Sequence, residues 1–301
     1  MELWIPITIA AAFLQNIRSS LQKHLKSAMG TTGATFVRFG FGVPFALAYW
    51  LLLSMVFKLP VSGFSGVFFV WLIVAALAQI LATFLLVYLF SFRNFVVGTA
   101  YSRTEPAQAA LFALIMFGTS FSMGVVVAIC ISVVGVMLIS VARSPITPLS
   151  LLTCVTGRTA LIGLASGSLF GVAAVGFREA ALSLDSPSFL MQASSTLVIA
   201  ITFQSLVMIG YMLVRERSQF ALIRAAWKPS ALVGLVGATA SFGWFTAFTL
   251  QEAAQVKVLA QIEMLFTFAA SVFVFKEHIN RIEVVGCILI TGGILVLLIA
   301  G

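Results

Sequence analysis

The sequence predicts an all-α integral membrane protein: ten transmembrane helices, arranged as two inverted five-helix repeats around a central cavity. Three observations carry that prediction. Hydrophobic residues make up 61% of the chain and charged residues 9%, where a soluble domain carries roughly 25% charged residues. The apolar residues fall into runs of about the ~20 residues a helix needs to cross a ~30 Å hydrocarbon core. Shifted by 158 positions, the chain sets Glu105 on Glu263 and Gly135 on Gly293 without a gap.

In chain order the runs cover 4–22, 34–57, 67–92, 95–117 and 123–142, then 159–181, 188–214, 231–250, 254–275 and 282–299. The first, "MELWIPITIAAAFLQNIRSSLQKHLK", lacks a basic leader and a small-residue cleavage site, so it reads as a retained helix. Between the fifth and sixth lies "RSPITPLSLLTCVTGR", whose two prolines and polar residues suit a linker. It separates a first repeat over 1–142 from a second over 159–301, with the linker at 143–158. In the sixth run, Gly163, Gly167 and Gly171 recur every fourth residue and form a face for close helix packing. The basic segment "VRERSQFALIRAAWKPS", 214–230, either lies flat at the interface or is a solvated loop.

The 158-residue shift also sets Phe117 on Phe275, and Val126 and Val127 on Val284 and Val285. The shared Glu is the informative coincidence, because acids inside apolar runs are rare. Five spans is an odd number, so tandem copies cross the membrane in opposite senses. Inverted repeats of that kind mark many secondary transporters, with the substrate site near the midplane.

Composition excludes several functions. The net charge of +8 sits between the apolar runs, where anionic headgroups and topology account for it without a nucleic-acid partner. Cys130, Cys154 and Cys287 form no CxxC pair, and His24 and His278 fall at span ends. No metal site or cofactor is expected, and the usual intramembrane enzymes lack their histidine here.

"RTEPAQAALFALIMF" followed by "VVGVMLIS" resembles the fourth and fifth spans of EamA-type proteins, of the drug/metabolite transporter superfamily. "TLQEAAQVKVLAQIEMLFTFAASVFVFKEHINRIEVVGCILITGGIL" resembles the same pattern again. That pattern has a span with Glu-Pro, an acid after the span, then a Gly-rich span. Here Glu263 takes the Glu position, Met264 replaces the Pro, and Glu277 follows the span; the first copy has "GTSFS" where that acid would stand. The resemblance implies a ten-helix bundle with a central cavity, and export or exchange of small metabolites without ATP.

Glu105 and Glu263 head the candidate site residues. Each lies eight to ten residues into its run, so ~12–15 Å deep at 1.5 Å per residue. An ionisable residue at that depth usually faces a water-filled cavity, and a carboxylate there can carry a coupling proton. The bland reading locks each to an arginine as packing. Arg103 is the matching cation, with a planar fork for carboxylate or phosphate; two residues from Glu105, it faces another side of the helix. Arg18 and Arg38 lie inside the first two runs and either meet the substrate or snorkel to headgroups. Gln15, Arg18, Gln22 and Lys26 share one helix face. Lys257 either caps the interface or reaches a substrate anion. Gln79, Tyr101, Trp244 and Gln261 complete the candidates, each also accounted for by interhelical packing.

The expected function is secondary active transport of a small polar metabolite, such as an amino acid or organic anion, across a bacterial inner membrane. The expected partners are that solute, the bilayer, and protons as coupling ion, with the chain a monomer or weak homodimer. A flippase for lipids or lipid-linked carriers, and a non-transporting membrane structural protein, are the alternatives. Basic residues crowd the loops after odd-numbered runs, including Lys26, Arg158, Arg215, Arg217, Lys228 and Arg281; Lys58 stands nearly alone on the other side. Short basic loops stay in the cytoplasm, so both termini are expected outside. Typical EamA-type proteins carry the opposite bias.

Overall fold

Apolar runs bounded by Ser, Gly and Pro become helices, and every regular element among the described residues is helical. The computed structural model describes residues 2–61, 63–92, 100–142, 156–269 and 280–300. Up to residue 142 the chain contains α1 (Trp4–Gly40), α2 (Val43–Leu51) with a π-helical turn Leu52–Val56, α3 (Gly66–Leu89), α4 (Glu105–Phe117) and α5 (Met123–Val141). There follow α6 (Arg158–Leu182), α7 (Phe189–Arg215), α8 (Gln219–Ala225), α9 (Trp227–Leu250), α10 (Ala253–Leu259), α11 (Ile262–Ala269) and α12 (Arg281–Ala300). Serines start three of them: Ser65, Ser122 and Ser188 accept the backbone N–H of Phe68, Val125 and Met191, supplying partners for donors that a helix start leaves open.

Among the described residues, seven stretches are long and apolar enough to cross a membrane, against ten expected. The difference has two causes. The first stretch, Trp4–Val56, has 53 residues, ~80 Å of helix at 1.5 Å per residue, far more than one crossing. It doubles back at Gly30, whose φ of 70° and ψ of −169° lie outside the helical region and are open essentially to glycine. The Gln22 side-chain amide then donates to the Ala34 carbonyl at 2.8 Å, a contact impossible along one straight helix. The second cause lies in the expected fourth and ninth spans. Their described parts are broken, leaving α4 with 13 residues and α11 with 8. Residues 93–99, 143–155 and 270–279, which include the start of the fourth span, most of the linker and Glu277, lie outside the described residues.

Three helix pairs make the most extensive packings: α3 with α6, α1 with α9, and α5 with α12. The last is backbone to backbone. A Cβ on Gly135 would stand 2.8 Å from the Gly286 carbonyl oxygen, and one on Gly293 3.0 Å from that of Ala128. Small residues allow this approach where lipid supplies no hydrophobic drive between helices. The outward faces stay apolar: Ile115, Val214 and Ile299 are largely exposed, as suits contact with acyl chains. The basic segment after α7 is neither fully loop nor free: it forms α8, with Ile223 buried, Trp227 exposed and Gln219 against Gly30.

Two ends can be told apart. Glu2, Trp4, Gln251 and Leu298 line one pocket, so the start of α1 and the end of α12 share an end. At the other, Lys26 bonds Ser91 at 2.7 Å, Thr32 bonds Glu216 at 3.1 Å, and the Arg158 guanidinium lies 5.5 Å from the Phe92 ring centre.

Candidate functional site

Two helix breaks organise the interior. Tyr101 and Ser102 are helical, the chain turns at Arg103 and Thr104, and α4 starts afresh at Glu105. Pro106 accounts for the restart. It has no N–H to give, and its fixed φ suits the first turn of a helix, so it opens α4 rather than kinking a continuous span. Thr104 seals the turn: its hydroxyl donates to the Tyr101 carbonyl at 2.7 Å and accepts from Gln108 at 2.7 Å. The second break falls at Ala260 and Gln261, between α10 and α11, without a proline. Each new helix carries its acid, Glu105 or Glu263, in the first turn, where the positive end of the helix dipole favours it.

The acids are paired, and each pair crosses between the breaks. Arg103 forms an ion pair with Glu263. Lys257 Nζ lies 2.8 Å from Glu105 Oε1, and 4.7 Å from the Trp244 ring centre. Gln261 donates to the backbone carbonyl of Arg103 at 3.3 Å, so the breaks touch directly. Gln15 reaches Glu263 at 3.3 Å, and Asn16 its carbonyl at 3.4 Å. Glu105 and Arg103 therefore do not pair with each other, as their spacing implied. Lys257 does not cap the interface: its side chain is nearly buried, at 12% exposure.

A narrow internal cavity adjoins these pairs, with about 30 Å³ open to a water-sized body. Gln15, Arg38, Gln79, Trp244 and Lys257 line it, with Ser241 and an aromatic wall of Phe170, Phe177, Phe245 and Phe248. Gln79 accepts from Gln204 at 2.9 Å, which holds it in the wall. Arg38 donates to Thr83 at 2.9 Å and is 4% exposed, as is Arg18. Neither snorkels, because the hairpin at Gly30 turns both side chains into the bundle. Tyr101 stands apart: it packs against Val141 and Ala160 in a separate apolar cluster.

The glycine stripe of α6 brings α4 close. A Cβ on Gly167 would lie 2.9 Å from the Ser102 carbonyl, and one on Gly171 3.0 Å from the Ala109 nitrogen. Sequence reasoning missed Thr83, the phenylalanine wall, and a clasp at one end. There Arg178 on α6 donates from Nε to Glu252 at 3.2 Å and from Nη1 to the Phe248 carbonyl at 2.9 Å. The signal was present but weak: both residues stand at the ends of apolar runs, where a charge is ordinarily solvated.

One solved crystal structure superposes on this chain with a TM-score of 0.70 at 17% identity, over 99% of this chain and 97% of the other. That likeness establishes a shared fold. No curated protein sequence matches the chain. The model of the EamA-like transporter family matches residues 157–299, from the first residues before α6 to the end of α12. Over residues 157–299 the chain is thus similar to the EamA-like transporter family.

Proposed function

We propose that the protein is a secondary active transporter of a small polar metabolite, an amino acid or organic anion, across a bacterial inner membrane. The observation that carries this reading is the crossed pairing of Arg103 with Glu263 and Lys257 with Glu105, at two helix breaks beside a polar cavity. Irregular backbone and charge at membrane depth are tolerated where they line a cavity or are buried in protein. Broken helices meeting near the midplane are how many transporters build a substrate site. The cavity is now the size of water, not of a metabolite, so loading requires the crossed pairs to part. The pairs then act as the closure of one state.

The proposal includes ten spans in two inverted repeats, 1–142 and 159–301. Several contacts exchange under the 158-residue shift. Gly135 meets Ile290, while Gly293 meets Ser132; the shift carries the first pair onto the second. Gln261 bonds Arg103, its own counterpart. The packings of α3 with α6 and α1 with α9 also exchange. With Trp4–Val56 counted as two spans and each broken helix as one, the total is ten.

Purified protein in sealed vesicles tests the reading. Saturable, gradient-driven uptake of a small metabolite is expected. Unsaturable leak would mark a channel, and no flux of any solute tested would overturn transport.

A further inference from the structure

Four cations reach the interior: Arg18, Arg38, Arg103 and Lys257. Two carboxylates answer them, Glu263 bonded to Arg103 and Glu105 bonded to Lys257. The other described acids are elsewhere. Glu252 holds Arg178, Glu216 meets Thr32, Glu283 meets Asn280, and Glu2 meets Trp4. Glu179 lies beside Arg178 near the end of α6, and Asp185 is in the turn that follows. Glu105 acts on Arg38 through space, but its contact is with Lys257. Among the described residues, Arg18 and Arg38 therefore lack a carboxylate of their own.

Arg18 lacks more than charge. Its Nε and Nη1 are buried with no hydrogen-bond partner among the described residues. A buried cation left in that condition is costly, and water can fill its donors without cancelling its charge. Its side chain converges with that of Arg38. A Cβ placed on Gly237 would touch Arg18 Cδ at 3.2 Å and Arg38 Cγ at 3.8 Å. The glycine leaves room for both stems at that point, where a Cβ would press on Arg18. The site is continuous with the cavity: Arg38 lines it, as do Gln15, one turn before Arg18, and Ser241, one turn after Gly237. The stems of the two arginines thus lie together beside a cavity that Arg38 lines and whose walls are largely aromatic.

We propose that Arg18 and Arg38 form the seat for the oxyanion of a small organic dianion, a dicarboxylate or phosphate monoester, whose body lies against the aromatic wall. This names the substrate class of the proposed transport site and rests on the reading of that cavity as the substrate path. Two unanswered charges call for two negative charges, and planar forks match paired oxygens. A zwitterion brings a positive charge with its negative one and leaves the net excess of two unchanged.

Thermal unfolding of the purified protein in detergent tests it, in a buffer of bulky sulfonate counter-ions. Inorganic phosphate, succinate and glycine are titrated separately. Phosphate or succinate is expected to raise Tm saturably, and glycine to leave it unchanged. Arg18→Met is expected to abolish the anion response. Arg38→Lys, which keeps charge but not the fork, is expected to raise the half-saturating concentration at least tenfold, and it decides the matter alone where Arg18→Met does not fold. No saturable shift with either anion, or a response that survives these substitutions, overturns the seat. Anion binding without vesicle uptake leaves the seat and overturns transport. Uptake of zwitterions or cations without anion binding does the reverse.

Discussion

Glu105 and Glu263 hold matching places in two helices, yet each is answered by a cation from the other half of the chain. Glu105→Gln keeps the shape and leaves Lys257 without its carboxylate. Transport is expected to be lost or uncoupled from the proton gradient while the protein still reaches the membrane; normal proton-driven flux in that variant would sink the coupling idea. From sequence, Glu263→Gln is expected to be milder, because Gln261 stands where its half would need an arginine. The structure supplies Arg103 instead, so the loss is expected to be as large. A double-mutant cycle on Arg103 and Glu263 checks the pair, with a coupling of about 0.5–3 kcal/mol in thermal stability expected for residues in contact. Arg103→Lys separates two roles. Bonded to Glu263, it should lower Tm and spare ligand affinity; a tenfold affinity loss, about 1.4 kcal/mol, at unchanged Tm would place Arg103 on the substrate.

Among the elements, two glycines decide where the charges can meet. Gly30 reverses the chain at a φ of 70°, and without that reversal Arg18 and Arg38, twenty residues apart, would lie ~30 Å apart on one helix. Gly30→Ala puts a Cβ on a backbone that L-residues rarely adopt, at about 1–3 kcal/mol, and a lower Tm with reduced yield is expected. Gly167 lets α6 lie against the turn before α4. Gly167→Val is expected to push that turn away and to abolish transport more than it lowers Tm. Equal transport in that variant would show that α4 has slack. The stripe of small residues was legible in the sequence as a packing face; which helix it receives was not, because any neighbour could use it.

For the whole molecule, orientation is the open quantity with a direct test. One end gathers Lys26, Arg158, Thr32 and Glu216, near the basic segment that contains α8. The other holds Glu2, Gln251 and the end of α12. We expect the basic end in the cytoplasm and both termini outside. Fusing alkaline phosphatase, or a fluorescent protein that matures in the cytoplasm, to Gly301 decides it. A phosphatase-active, dark C-terminus is expected; a fluorescent, phosphatase-negative one reverses the orientation. In the expected orientation the Arg178–Glu252 clasp closes the outer side of the cavity.

By itself the sequence determined the solvent, the helical class and the residues too costly to bury idly. Lipid offers no hydrogen bonds, so each crossing segment must satisfy its backbone internally, and hydropathy reads such helices directly. It also exposed Glu105 and Glu263, because a carboxylate in an apolar run is tolerated only where protein or water, and not lipid, surrounds it. Partners were beyond it. Whether Lys257 faces headgroups or Glu105, or Arg18 faces lipid or Gly237, depends on how each helix is rotated and where the chain breaks. Those angles come from packing between segments more than a hundred residues apart, where any apolar face fits lipid equally well. The tertiary structure alone turned Gly30 into a hairpin, set Gln261 against Arg103, and gathered four cations around two acids.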